Sequence, residues 1–234
     1  MLRGLKQGFT MSEVLITLGI IGIVASMTLP QLIINYQKQE TVSKLKKAYT
    51  IVNQAIKHSE IDNESMEYWD YSLSGHKFYE KYLKKYFIQP KEISTIDLQK
   101  QAKRKLLNGN NYSGTTFTGS NATHFQINDG IILTFNLNGD RKEHGLWAAI
   151  DVNGLAKPNT IGKDTFLFYI NPKTGFLPLG YEGSHPYWTC PNCNRTQFIS
   201  GNGKGHGCSK NQTGYWCGAL IMNDNWEIKD DYPW

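Results

Sequence analysis

The chain has 234 residues, a formal net charge of +5, 40% hydrophobic residues and 19% charged ones. This balance excludes a disordered tail and leaves room for one soluble domain of ordinary size beside a membrane segment. The charge excess is mild, would fall to +3 if Arg3 and Lys6 were lost with a leader, and is too small to call for a nucleic-acid partner.

Residues 1–8 form a short basic leader that ends at Gly8, and Phe9 follows. One acid comes next, Glu13, and then 23 positions from Val14 to Tyr36 carry no charge. A helix of that length, at about 1.5 Å per residue, crosses the roughly 30 Å hydrocarbon core of a bilayer. Arg3 and Lys6 precede it and stay in the cytoplasm, so the C-terminal bulk lies outside. A secretory signal peptide also starts basic and turns apolar, but this run is too long and has an acid at its start. The helical pattern also continues beyond it. Val42, Leu45, Tyr49, Val52 and Ile56 recur at spacings of 3 and 4 among Lys38, Glu40, Lys44, Lys46 and Lys47, an amphipathic stripe. The expected helix therefore runs from about Phe9 to about Ser59: residues 9–36 apolar, residues 37–60 amphipathic. Pro30 and the Gly19/Gly22 pair interrupt it, and a kink or local melting is expected near residue 30.

Gly8-Phe9-Thr10-Met11-Ser12-Glu13 and the uncharged stretch with its proline resemble the leader and N-terminal helix of type IV pilins and type II secretion pseudopilins. The resemblance covers roughly residues 1–57, with Met11 and Ser12 in place of the commoner Leu and Ile. It implies that a prepilin peptidase cuts after Gly8 and methylates the new N-terminus, Phe9. It also implies that Glu13 serves assembly with other pilin or pseudopilin subunits. The chain would wait in the inner membrane, single-pass, with its C-terminal domain outside the cytoplasm, before entering a filament. A carboxylate inside an apolar helix costs about 2.5–3.5 kcal/mol at its centre and less near an end, so Glu13 needs a partner. The amine released at Phe9, one turn away or on a neighbouring subunit, would supply it.

Residues 61–234 are expected to form the globular domain. Tyr79, Tyr82, Leu83, Tyr86 and Phe87 stand at helical spacing, which predicts a second helix over about 75–87, ended before Pro90, with its aromatic side chains packed inward. Lys100, Lys103, Arg104 and Lys105 read as a solvated basic face. From Thr123 the period changes to that of strands. Asp129-Gly130 between two apolar runs signals a two-residue hairpin turn, and Asn138-Gly139 a further turn. Strands are expected over 146–152 and 165–170, the last apolar on both faces. The fold class is α+β: a long helix packed on a roughly four-stranded antiparallel sheet over about 123–170, as in pilins.

Between the last two strands, Asp151, Asn153 and Asp164 make a candidate calcium loop, since alternating oxygen donors before a glycine open such sites. The resemblance points both ways: major pseudopilins bind calcium in a loop near the end of their sheet, while many pilin-like sequences carry a similar pattern as a plain strand connection. Two carboxylates are few for calcium, and Lys157 and Lys163 oppose it, so a structural turn is the favoured reading. No other cofactor is expected.

The tail, residues 182–234, holds Cys190, Cys193, Cys208 and Cys217. Outside the cytoplasm these read as two disulfides of open connectivity rather than a zinc knuckle, whose second close pair is missing. Gly201–Gly207 reads as a flexible surface loop. The histidines show no metal-like repeat and no nucleophile–base pair stands at a recognisable spacing, so no enzyme is indicated. The expected function is that of a structural filament subunit. The alternative is a minor tip pilin whose tail, with Trp188, Trp216, Trp226 and Trp234, captures a surface or DNA.

Overall fold

Apolar and helix-favouring residues dominate the first quarter of the chain, and they form one helix, α1, over Met11–Asn63. The structure is a computed structural model, and it describes residues 10–137 and 145–234. Gly8 and Phe9, the Asn138-Gly139 turn and His144 lie outside the described residues. The expected melting at Pro30 is not seen, since α1 is continuous through it. Proline removes a single donor, and the neighbouring turns keep theirs. Glu64, at a φ of +65°, takes the left-handed conformation that ends a helix.

Two units divide the chain, Met1–Glu40 and Thr41–Trp234. In the first, Leu15, Ile16, Ile21, Met27 and Leu32 are each more than half exposed. In the second, the predicted stripe is buried: Leu45, Val52 and Ile56 join Ala48, Ala55 and Ser59, with Val42 and Tyr49 packed alongside.

Among the described residues the sheet has six strands, not four. They are β1 (Lys91–Ile93), β2 (Ala122–Gln126), β3 (Ile132–Asn136), β4 (Leu146–Asp151), β5 (Thr165–Asn171) and β6 (Gly175–Pro178). They pair in chain order and antiparallel throughout. The two additional strands are the short edges, where the lysine of β1 and the proline of β6 are tolerated. The β2–β3 hairpin forms where expected, but three residues rather than two separate the bonded pair Ile127 and Ile131. Asp129 and Gly130 do take positive φ, 63° and 75°. Lys47 of α1 bonds the Asp129 carboxylate at 2.5 Å.

Both faces of the sheet are covered, which is why β5 is apolar on both. The row Phe125, Leu133, Ile150 and Phe166 faces the main core with the α1 stripe. There Tyr49 lies 5.7 Å from Phe176, ring to ring. The predicted second helix is α-helical only over Gly75–Phe78 (α2); Tyr79–Leu83 and Lys84–Tyr86 continue it as wider and tighter turns. Its aromatic residues pack inward, with Tyr79 stacked on Phe125 at 4.3 Å. The opposite row, His124, Thr134, Ala149 and Leu167, is roofed by α3 (Thr95–Gln101) and the segment 102–118, with Leu98, Ala102 and Phe117 filling a second core.

The tail forms α4 (Arg195–Ser200) and α5 (Cys217–Asn223). The disulfides join Cys190 to Cys193 and Cys208 to Cys217. Gly201–Gly207 is tied down by backbone bonds, among them Trp216 N–H to the His206 carbonyl at 3.0 Å. Residues 202–205 of it are exposed, as expected of a surface loop.

Candidate functional site

The first turn of α1 is built as a capping box. The Thr10 N–H and hydroxyl both donate to Glu13 Oε2, at 2.8 and 2.9 Å, and the Glu13 N–H donates to Thr10 Oγ1 at 3.2 Å. A threonine and a glutamate three residues apart satisfy two of the orphan amides of a helix start in this way. The signal Thr-x-x-Glu stands in the sequence, and it gives the acid a role beside the one expected for it. Glu13 keeps its second oxygen, Oε1, outside this box. Beyond the cap, α1 is the one described helix long and apolar enough to cross a membrane. No residue of its most apolar 18-residue window is buried.

The second set of candidate residues sits at the roofed end of β4. Asp151 is 1% exposed and meets Arg104 Nη2 at 2.6 Å. The Thr165 hydroxyl donates to the same carboxylate oxygen at 3.3 Å. Burial pushes the Asp151 carboxyl up to about 7, against the downward pull of Arg104 and with a further push from Asp164. Asp164 accepts the N–H groups of Asn159 and Thr160, both at 2.6 Å, while burial raises its pKa. Asn153 donates to the Lys157 carbonyl at 3.1 Å. The three candidate calcium donors are thus neighbours on one loop. Both oxygens of Asp164 and one of Asp151 are engaged by N–H groups of the protein.

Arg104 corrects the reading of its basic run. Lys100, Lys103 and Lys105 are exposed as expected, but Arg104 is buried, with its guanidinium carbon 4.1 Å from the Phe117 ring centre. It pins the 102–118 roof to the sheet. A buried pair of this kind stabilises little in net terms, but loss of one partner strands the other charge.

In the tail, Arg195 of α4 donates to Asp224 at 2.8 Å and to Asp231 at 2.6 Å, fastening the last residues to the domain. Trp216 is fully buried, Trp226 and Trp234 pack on the main core, and Trp188 packs on the second core. The aromatic surface on which a capturing tail would rely is therefore largely spent on packing.

Residues 3–29 match the prokaryotic N-terminal methylation motif. That motif is typical of type IV pilins and pseudopilins, and the capped start of α1 with the uncharged run from Val14 is its structural counterpart. No curated protein and no solved structure matches the chain. Over residues 31–234, which include the amphipathic half of α1, the sheet and the disulfide-bonded tail, the chain belongs to a family of unknown function (DUF6613).

Proposed function

We propose that this protein is a structural subunit of a type IV pilus or type II secretion pseudopilus. A prepilin peptidase cuts it after Gly8 and methylates Phe9, and it waits in the inner membrane with residues 61–234 outside the cytoplasm. The observation that carries this reading is the methylation motif over residues 3–29. The unburied apolar half of α1 supports it, because side chains such as Leu15 and Ile21, at 64% and 62% exposure, need lipid or neighbouring helices.

In a filament the helix exchanges lipid contacts for contacts with its copies, so extraction loses little apolar burial. Glu13 then sets the register. Its second oxygen, Oε1, accepts the Phe9 amine of its own or a neighbouring subunit. A misplaced helix leaves the carboxylate unpaired, at a cost of up to about 2.5–3.5 kcal/mol.

Mass spectrometry of the mature chain is expected to find an N-terminus at Phe9 bearing one methyl group; a chain still beginning at Met1 in assembled filaments would overturn the reading. Glu13→Ala is expected to leave cleavage intact and to abolish filaments. Normal filament yield from that variant would remove the proposed role of the acid.

A further inference from the structure

A cavity of about 370 Å³ lies between the end of α3 and the 102–118 roof. Its size falls within the roughly 300–1,000 Å³ of small-molecule sites. Phe117 and Arg104 are buried at its base, Tyr112 is half-buried, and the exposed side chains of Gln99, Lys103 and Asn111 stand at its mouth. The apolar side is rigid: the Tyr112 hydroxyl donates to Thr116 at 3.0 Å, and its ring meets Phe117 nearly edge-on at 5.4 Å. The polar side is uncommitted. Gln99, Lys103 and Asn111 make no side-chain hydrogen bond or ion pair among the described residues. Arg104 spends one Nη on Asp151 and brings the other to the Ala102 carbonyl at 3.4 Å, and its buried Nε–H has no partner.

These groups define a ligand. Both Nη groups of Arg104 have protein partners, which leaves the Lys103 ammonium as the exposed charge of the site and suits a monoanion. A phosphate would call for the open two-pronged face of a guanidinium, and here that face is shared with Asp151. One N–H of Arg104 together with Lys103 suits a single carboxylate. The aromatic walls and the volume ask for a ring attached to it. Gln99 and Asn111, each both donor and acceptor, complement hydroxyl groups on that ring. We propose that the cavity binds a carboxylate-bearing sugar of the hexuronate class, with the carboxylate at Lys103 and Arg104 and the ring against Tyr112 and Phe117. This site does not depend on the filament role, and each can fail without the other.

The test is calorimetric titration of the full chain, held in a zwitterionic detergent that carries no sugar headgroup, with glucuronate and galacturonate. Glucose and acetate are the controls. At least one hexuronate is expected to bind saturably with a Kd of about 1 mM, and both controls about tenfold more weakly. Lys103→Glu and Asn111→Ala, both at the exposed mouth, are each expected to weaken hexuronate binding about tenfold while the circular dichroism and melting temperature stay unchanged. Absence of saturable hexuronate binding up to about 50 mM, equal binding of glucose, or undiminished binding to Lys103→Glu would each overturn the proposal.

Discussion

Asp151 and His124 titrate on the same buried seam beneath the 102–118 roof, and Arg104 acts on both. Burial pushes Asp151 up to about 7, while burial and the Arg104 charge push His124 down to about 4. An unfolded carboxyl titrates near ~3.9, so between about pH 4 and 7 the folded protein holds a proton at Asp151 that the unfolded chain has lost, and stability falls as pH rises. An unfolded histidine titrates near ~6.5, so below that pH the unfolded chain takes a proton that folded His124 refuses, and stability falls as pH falls. Each slope approaches about 1.4 kcal/mol per pH unit and the two oppose each other over roughly pH 4.5–6.5. Thermal melts at three pH values in that window are expected to separate them. Relative to the wild type, Asp151→Asn gains stability as pH rises and His124→Gln loses it; variants that run parallel to the wild type would refute the assignment. Only part of this seam is legible in the sequence. Asp151 stands out there as an oxygen donor before a glycine. Its partner lies 47 residues away inside a run of lysines, where solvation is the natural expectation.

Along α1 the same residue type does two jobs, and position decides which. Leu45 is fully buried beneath the sheet, and Leu32 is 65% exposed. Leu45→Ala is expected to lower the stability of the domain by about 2–5 kcal/mol, through lost transfer energy and the cavity left behind. Leu32→Ala is expected to change it by no more than about 0.5 kcal/mol and to reduce filament yield instead. Melting curves and filament preparations of the two variants check this; equal melting temperatures would mean that Leu45 is not part of the core. The stripe that makes the distinction was legible, since Val42 to Ile56 keep one phase over four turns. The four central strands were legible as well, β3, β4 and β5 because burial on both faces writes apolar runs and β2 through the turn that follows it. The edge strands were not. Lys91–Ile93 has three residues and two charges, and Gly175–Pro178 begins and ends on residues that ordinarily break strands. Their pairing comes from the neighbouring strand and not from their own composition. The disulfide partners were open for a similar reason: four cysteines within 45 residues permit three pairings, and the fold of the tail selects one.

At the scale of the molecule, the boundary that matters for solubility falls inside a helix. Thr41–Trp234 is one of the two units, and it includes the half of α1 that carries the buried stripe. The other unit holds the exposed apolar side chains, from Leu15 to Leu32. A fragment of residues 41–234 therefore keeps the Leu45–Ser59 stripe over Phe125, Phe135 and Phe168 and sheds the apolar anchor. It is expected to be a monomer without detergent and to melt cooperatively. A fragment of residues 64–234 loses the stripe, opens that face of the sheet to water and creates an apolar patch of the kind that drives association. It is expected to aggregate or to bind a hydrophobic dye as expanded states do. Light scattering and thermal melts of both fragments distinguish the cases. If the shorter fragment were as soluble and as stable as the longer one, α1 would contribute nothing to the domain, and its second half would be free to act, like its first, in contacts between subunits.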